Sequence, residues 1–299
     1  MSGKLYIVGN GFDLHHGIPS SYRAFGEFLR DHDPRTFDFV ERYFDVSADF
    51  WAEFEERLAS FDTDTLVDDA SQFLVGYGAE DWSDAYHHDY QYELDQVVEA
   101  ISKTMRSRFG DWIRQLQIPD PSDITALRLR VDTSAAFLNF NYTPSLQRLY
   151  GVPNSHVLHI HGSASDINAQ LVLGHGWKPP EALDPYRFEQ EPEAADMRVV
   201  EGQRTIDNYF KDTFKPTELI IRDNRAFFES LANVEKVFVM GHSLSEVDHP
   251  YFHEVLRYTC ASRVKWKVSY RGDLSGPRSR LEELDIDPTT VEFLSLIDF

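Results

Sequence analysis

Apolar positions along the chain fall into two kinds of run. Short β-rich runs occur at 5–8, 135–140, 157–160, 170–173, 237–240, 264–269 and 291–294. Longer segments with apolar residues at helical spacing lie at 22–31, 49–61, 65–75, 90–117, 217–233, 248–259 and 276–284. Strands alternating with helices predict an α/β core with a mostly parallel sheet of about six to seven strands. Several strand runs are apolar throughout, as expected where helices cover both faces of the sheet.

The stretch 34–117 breaks this rhythm. It is helical in pattern, aromatic-rich and acidic, with no strand, and reads as a helical insertion or cap after the first strand–helix unit. The sheet-bearing core then comprises 1–33 and 118–299 within a single compact chain. A second irregular stretch, 177–204, carries Pro179, Pro180, Pro185 and Pro192 among acidic residues and reads as a lid-like segment.

Composition narrows the partners. A hydrophobic fraction of 42% over 299 residues is enough to bury a sizeable core. The formal net charge of −21 opposes contact with nucleic acid or anionic lipid, so neither is expected as a partner. Helix termini and local N–H groups can still hold a small anion against that distant field. The single cysteine, Cys260, excludes an internal disulfide and any cysteine-built zinc site, and suits a reducing compartment. It falls in an apolar helical pattern, where a small buried hydrophobe is expected. With no signal-peptide pattern and no membrane-length apolar run, the expected location is the cytoplasm.

Four segments carry candidate chemistry. The first, Gly9-Asn10-Gly11-Phe12-Asp13-Leu14-His15-His16-Gly17-Ile18-Pro19, follows the first strand run and leads into a helix. A strand ending in closely spaced glycines lets backbone approach a phosphate, although a tight turn alone would look the same. Leu14 occupies the third glycine position of the G-x-G-x-x-G fingerprint, which argues against a hydride-transferring dehydrogenase. The second, Phe140-Asn141-Tyr142-Thr143, ends a strand: Asn141 either aims its amide at a ligand or caps the next helix. In the third, His159-Ile160-His161-Gly162, alternation puts both histidines on one strand face. His161 at the strand end is placed as a general base, against the ordinary role of a hydrogen-bonded core histidine. The fourth, Gly241-His242-Ser243-Leu244-Ser245 with Asp248, is again strand, turn and helix.

In this order the segments resemble the sirtuin layout, whose opening motif reads G-A-G-x-S-x-x-x-G-I-P. Asp13 stands where that motif has serine, and Ser20-Ser21-Tyr22 follows in place of Asp-Phe-Arg. More closely, the chain resembles the AbiH-like abortive infection family of bacterial phage defence. The matching pieces are Gly9 to Leu14 with Gly17 and Tyr22, and Trp51-Ala52-Glu53-Phe54-Glu55. They continue with Phe140 to Thr143, His159 to Gly162, and Gly241 to Ser245 with Asp248.

The resemblance implies a sirtuin-like, Rossmann-like core that binds NAD or a related nucleotide and hydrolyses the nicotinamide–ribose bond. Carried over by position, Asn141 would hold a water or the ribose, and His161 would act as the base. Gly9, Asn10, Gly11, Phe12, Asp13 and Gly17 would form the nucleotide wall, with Gly9, Gly11 and Phe12 cradling the pyrophosphate. Gly241 and Ser243 would meet the adenosine side. A phage-derived trigger protein and self-association are the partners it implies, with no metal.

Two departures qualify this picture. The four-cysteine zinc lobe of sirtuin deacylases has no counterpart, which disfavours protein deacylation. Thr143 replaces the aspartate usual after Asn-Tyr and could serve only as a helix cap. Three rivals remain. A nucleophile elbow at Gly241-His242-Ser243 lacks the late histidine its chain order requires, because none follows His253. Metal-dependent hydrolysis could draw on His156, His159, His161 and His175. A non-catalytic sensor could present Tyr43, Phe44, Phe50, Trp51, Phe54, Trp82, Tyr86, Tyr90 and Tyr92, with Phe50, Trp51 and Phe54 alternatively forming a helix's buried stripe.

Overall fold

A computed structural model describes residues 3–76, 78, 86–180, 196–259 and 264–299, without the side chains of Tyr86 and His87. Trp82, Cys260 and the centre of the lid-like stretch, 181–195, lie outside the described residues. Among those described, the strands are β1 (Lys4–Val8), β2 (Ala136–Asn139), β3 (Val157–His159), β4 (Lys236–Met240), β5 (Lys265–Tyr270) and β6 (Glu292–Ser295). They form one sheet in the order β3-β2-β1-β4-β5-β6, every pair parallel. This is the Rossmann-like order, in which the strand order reverses between β1 and β4.

The chain divides into two compact units: Met1–Ala24, Gly110–Val172 and Pro216–Phe299 make the first, and Phe25–Phe109 with Leu173–Lys215 the second. The first holds the whole sheet. Alternate residues of each strand enter opposite cores. Leu5, Ile7, Leu138, Val237, Val239 and Val268 pack on one face, with Phe228, Tyr251, Phe252 and Val255 from covering helices. Tyr6, Val8, Phe137 and Met240 pack on the other, with Phe12, Leu146 and Leu149. Burial on both faces explains the uninterrupted apolar runs in the sequence. The run 170–173 does not join the sheet; its backbone instead bonds to the turn after β3, Val172 N–H donating to His161 O at 2.9 Å.

The second unit is helical. Pro34–Tyr43 is capped by Asp33, Thr63–Ser71 by Asp62 and Met197–Asp212 by Asp196, each carboxylate accepting a first-turn N–H. The segment expected at 90–117 is two helices, Tyr86–Glu99 and Met105–Gln115, joined through a π turn at Ala100–Thr104. The stretch 49–61 begins with turns and holds a short α-helix at Phe54–Arg57 followed by a 3-10 turn at Leu58–Ser60, so its aromatics bury without a continuous helical stripe. Phe50 and Phe54 are fully buried, and Trp51 lies over Gly26, where a Cβ would come within 2.6 Å of its ring. Tyr43, Phe44 and Tyr90 are also core residues; of the surface aromatics considered above, Tyr92 is exposed. The Met197–Asp212 helix occupies part of the stretch read as irregular. This unit also carries a cavity of about 490 Å³ lined by Val67, Tyr90, Trp177, Ile206 and Phe210, with Asp64 and Asp68 beside them. No helix among the described residues is long and apolar enough to cross a membrane.

Candidate functional site

The polar residues singled out in the sequence gather at the carboxyl ends of four neighbouring strands, β3, β2, β1 and β4. At the end of β1, Gly9 N–H donates to Met240 O at 3.0 Å and Gly11 N–H to Gly241 O at 2.7 Å. The β1 and β4 turns therefore touch backbone to backbone. A Cβ on Gly9 would lie 2.6 Å from His242 Cα, and one on Gly11 would lie 2.8 Å from Gly241 Cα. These glycines are required by turn-to-turn packing. Phe12 N–H also donates, to Gly9 O at 2.9 Å, so the N–H groups of Gly9, Gly11 and Phe12 all have partners within the protein.

Three more residues expected to line a nucleotide take framework roles. Phe12 has no exposed surface and packs against His16 and Tyr150. Gly17 ends the Asn10–His15 helix: its φ is +76° and its N–H donates to Leu14 O, while Ile18 N–H donates to Asp13 O. That paired pattern is a Schellman cap, and it accounts for the glycine in the Gly17-Ile18-Pro19 spacing. Asp13 is 1% exposed and receives three side-chain donors, Asn141 Nδ2, Thr143 Oγ1 and Ser145 Oγ. Burial pushes its carboxyl up to about 6, opposed by those three hydrogen bonds. Thr143 is thus a ligand of Asp13 and not a helix cap; the Ser145–Tyr150 helix has no side-chain cap.

Asn141 bridges this anchor to the turn. Its Nδ2 donates to both Asp13 Oδ1 and Gly9 O, each at 3.1 Å. Both amide hydrogens are used, which leaves Oδ1 as the atom that can accept from a water or hydroxyl. Asn139 Oδ1 accepts the Asn141 N–H at 3.1 Å and holds the strand end in register.

The two histidines of the third segment part company because β3 ends at His159. His159 Nδ1 lies 2.9 Å from Asn141 O and its Nε2 lies 3.0 Å from Gln147 Nε2, so as a neutral ring it bridges the turn after β2 to the Ser145–Tyr150 helix. Burial also lowers its basicity. His161 stands in the turn beyond, 3% exposed, with Nε2 3.6 Å from Asp248 Oδ1. Gly162, at φ +86°, brings the backbone of Gln170 against this turn. Phe140 and Tyr251 meet the His161 ring edge to face, at centroid distances of 5.2 and 5.7 Å.

Asp248 carries a second imidazole, one that sequence reasoning did not place in the site. His242 Nε2 lies 3.4 Å from Asp248 Oδ2, and His242 Nδ1 accepts Leu244 N–H at 2.9 Å. The sequence signal was present in Gly241-His242-Ser243-Leu244 followed by Asp248, but spacing alone did not say which side chains turn inward. Backbone strain in this turn falls on Gly241 (φ +66°) and Leu244 (φ +58°), not on Ser243, which is exposed. A nucleophile elbow would strain the serine itself.

These contacts join Asp13, Asn141, Gly9, His242, Asp248, His161 and Phe140 into one continuous cluster. Asn10, half-buried with its Oδ1 accepting from Ser20, and Ser243 lie at its surface. The histidines weighed as metal ligands do not converge. His156 bonds Thr133 O, His159 bonds Asn141 O, and His175 belongs to the helical unit, where burial lowers its pKa to about 4. No group of three or more His, Cys, Asp or Glu among the described residues is placed to hold an ion.

A Rossmann-like sheet with a polar cluster at its carboxyl edge, centred on a buried histidine and a carboxylate, defines the class of this protein. The family model of AbiH, bacteriophage abortive infection, matches residues 5–270, and the chain belongs to that family. Its association with abortive infection of phage-infected cells follows from that membership. No curated protein matches the chain.

Proposed function

We propose that this protein binds NAD at the carboxyl edge of β3, β2, β1 and β4 and hydrolyses its nicotinamide–ribose bond, acting in the cytoplasm as the effector step of abortive infection. The observation that carries this reading is the placement of His161, a buried imidazole at a strand end in the same cluster as Asn141. Ligands of open parallel sheets bind at this edge, beside the point where the strand order reverses.

In this reading His161 takes a proton from water as the water oxygen bonds to C1′. The C1′–nitrogen bond breaks, nicotinamide leaves with the bonding pair, and one proton is released for each ADP-ribose formed. Asn141 Oδ1 accepts a hydrogen bond from the attacking water or a ribose hydroxyl. Asn10 and Ser243 supply side-chain polar groups at the rim, while Gly9, Gly11, Asp13 and Gly241 hold the turns at fixed separation. His161 is 3% exposed, so turnover requires this face to open around the substrate.

Incubating the purified chain with NAD tests the reading. Nicotinamide and ADP-ribose are expected in equal amounts by chromatography. Unchanged NAD together with calorimetric binding would instead favour a nucleotide-held sensor. That second reading draws on the cavity in the helical unit, where Trp177 is 48% exposed and available to a trigger. Absence of both binding and turnover would rule out NAD as the ligand.

A further inference from the structure

We propose that the cavity of the helical unit binds a small organic cation, a primary alkylammonium whose apolar body enters the cavity while its charged end meets the rim. The inference does not rest on the NAD reading.

The walls come from helical faces. The Met197–Asp212 helix presents Val199, Gln203, Ile206 and Phe210, a spacing that puts all four on one side. The Thr63–Ser71 helix presents Asp64, Val67 and Asp68 on one side, while Leu66 and Ala70 turn into the core. Tyr90 and Trp177 add aromatic surface, and Trp177 meets Phe210 edge to face at a centroid distance of 5.2 Å. A volume of about 490 Å³ falls within the range of small-molecule sites, about 300–1,000 Å³. A concave site of this size suits a small ligand better than a flat partner surface.

Charge at the rim selects the ligand class. Asp62 is used as the cap of the Thr63–Ser71 helix, and Asp69 is held by Arg42 and Tyr43. Asp64 and Asp68, one turn apart, are exposed at the rim and form no salt bridge among the described residues. Asp207 adds a third carboxylate to the lining and accepts from Gln203 Nε2 at 3.3 Å. None of the described lining residues is basic; Lys178, between Trp177 and Pro179, is exposed and is not one of them. His175 packs against Trp177 and Phe210, with 6.1 Å between ring centroids in each case. Burial lowers its pKa to about 4, so it brings no positive charge near neutral pH. An ammonium within about 6 Å of a Trp or Tyr ring is also drawn by the ring's negative face. An anion would meet repulsion from the same carboxylates.

Titration calorimetry on the full chain tests this with n-hexylammonium chloride, and with 1-hexanol as the neutral counterpart, at fixed ionic strength. Saturable one-to-one binding of the amine is expected, at least about 10-fold tighter than the alcohol; this comparison needs no variant. Trp177→Ala should weaken binding about 10-fold, and Asp64→Asn with Asp68→Asn about 2- to 10-fold, in proteins whose melting temperatures match the wild type. Asp38→Asn with Glu41→Gln removes equal charge from exposed positions outside the cavity and should change the affinity less than about 2-fold. Absence of saturable binding would overturn the proposal, and so would an alcohol that binds as tightly as the amine. Equal losses in the two charge-removing pairs would also overturn it, because the net charge of −21 would then be the whole cause. Tighter binding of the tripeptide Gly-Lys-Gly than of the amine would make a protein segment the occupant and overturn it as well.

Discussion

Asp13→Ala is expected to lower the melting temperature of the sheet-bearing unit by about 10 °C, a loss of about 4 kcal/mol. The substitution takes the acceptor from Asn141, Thr143 and Ser145, all buried, and leaves three donors facing a void. It also unties the turn after β1 from the turn after β2, since Asn141 Nδ2 is shared between Asp13 and Gly9 O. Asp13→Asn should cost less, because one oxygen still accepts.

The cost of Asp13→Asn should depend on pH, with a sign that the burial of the carboxyl determines. The folded-state pKa is raised to about 6 from an ordinary value near 3.8. The folded protein therefore holds this proton more tightly than the unfolded chain does. Asp13 contributes a stability increment that is full below about 3.8 and is lost as the pH rises through 6, about 3 kcal/mol in all. The variant lacks that increment, so the gap between wild type and Asp13→Asn should be widest near pH 4 and narrowest above pH 7. His16, whose pKa burial depresses to about 4, contributes in the opposite direction, but it does so equally in both proteins. Denaturant midpoints at the two pH values measure the gap. A gap that instead widened above pH 7 would mean that Asp13 is an ordinary low-pKa carboxylate.

Gly241→Ala is the second substitution with a large expected effect, about 4 kcal/mol or more. The residue has φ +66°, and a Cβ would lie 2.2 Å from Phe12 N and 2.5 Å from Gly11 C. Those are backbone atoms held by the Gly9–Met240 and Gly11–Gly241 hydrogen bonds, so neither turn can yield without breaking the seam between β1 and β4. Gly17 is the control. Its φ of +76° is just as unsuited to a side chain, but nothing lies within 4 Å of the added Cβ. Gly17→Ala should therefore cost only about 1 kcal/mol. Thermal melts of the two variants side by side separate close approach from backbone conformation. Equal losses would show that φ alone matters.

Much of this architecture was legible in the apolar pattern, for a physical reason. Strands buried on both faces must be apolar at nearly every position, as β1 and β2 are. Six of the seven runs are strands of the sheet, although β5 and β6 near one edge carry exposed Lys265 and Glu292. The seventh, 170–173, has the same composition but bonds to a turn. Composition reports burial, not which backbone a segment pairs with. The helix expected at 217–233 is broken into Thr217–Asp223, Arg225–Glu229 and a 3-10 turn, because Asn224 Nδ2 turns back onto Ile220 O.

At the site, the sequence order placed Asn141, His161 and the glycine turns on adjoining strand ends. What it could not supply was the direction of each side chain. Asp13 and Phe12 occupy motif positions yet point into the protein, where they hold the turns together. His242 and Asp248 drew less notice because their pairing depends on a left-handed Leu244 that no spacing announces. Helical phase likewise could not show that Tyr43, Phe44 and Tyr90 are core residues of the helical unit rather than a surface.

In the proposed reaction His161 is the base of an NAD-cleaving site. Its most direct test is the rate of nicotinamide release from NAD by the wild type and by His161→Ala, compared at equal folded concentration. Release is expected from the wild type, with a fall of about 10²- to 10⁴-fold in the variant, the range for removal of a general base. Release by the variant at the wild-type rate would contradict it.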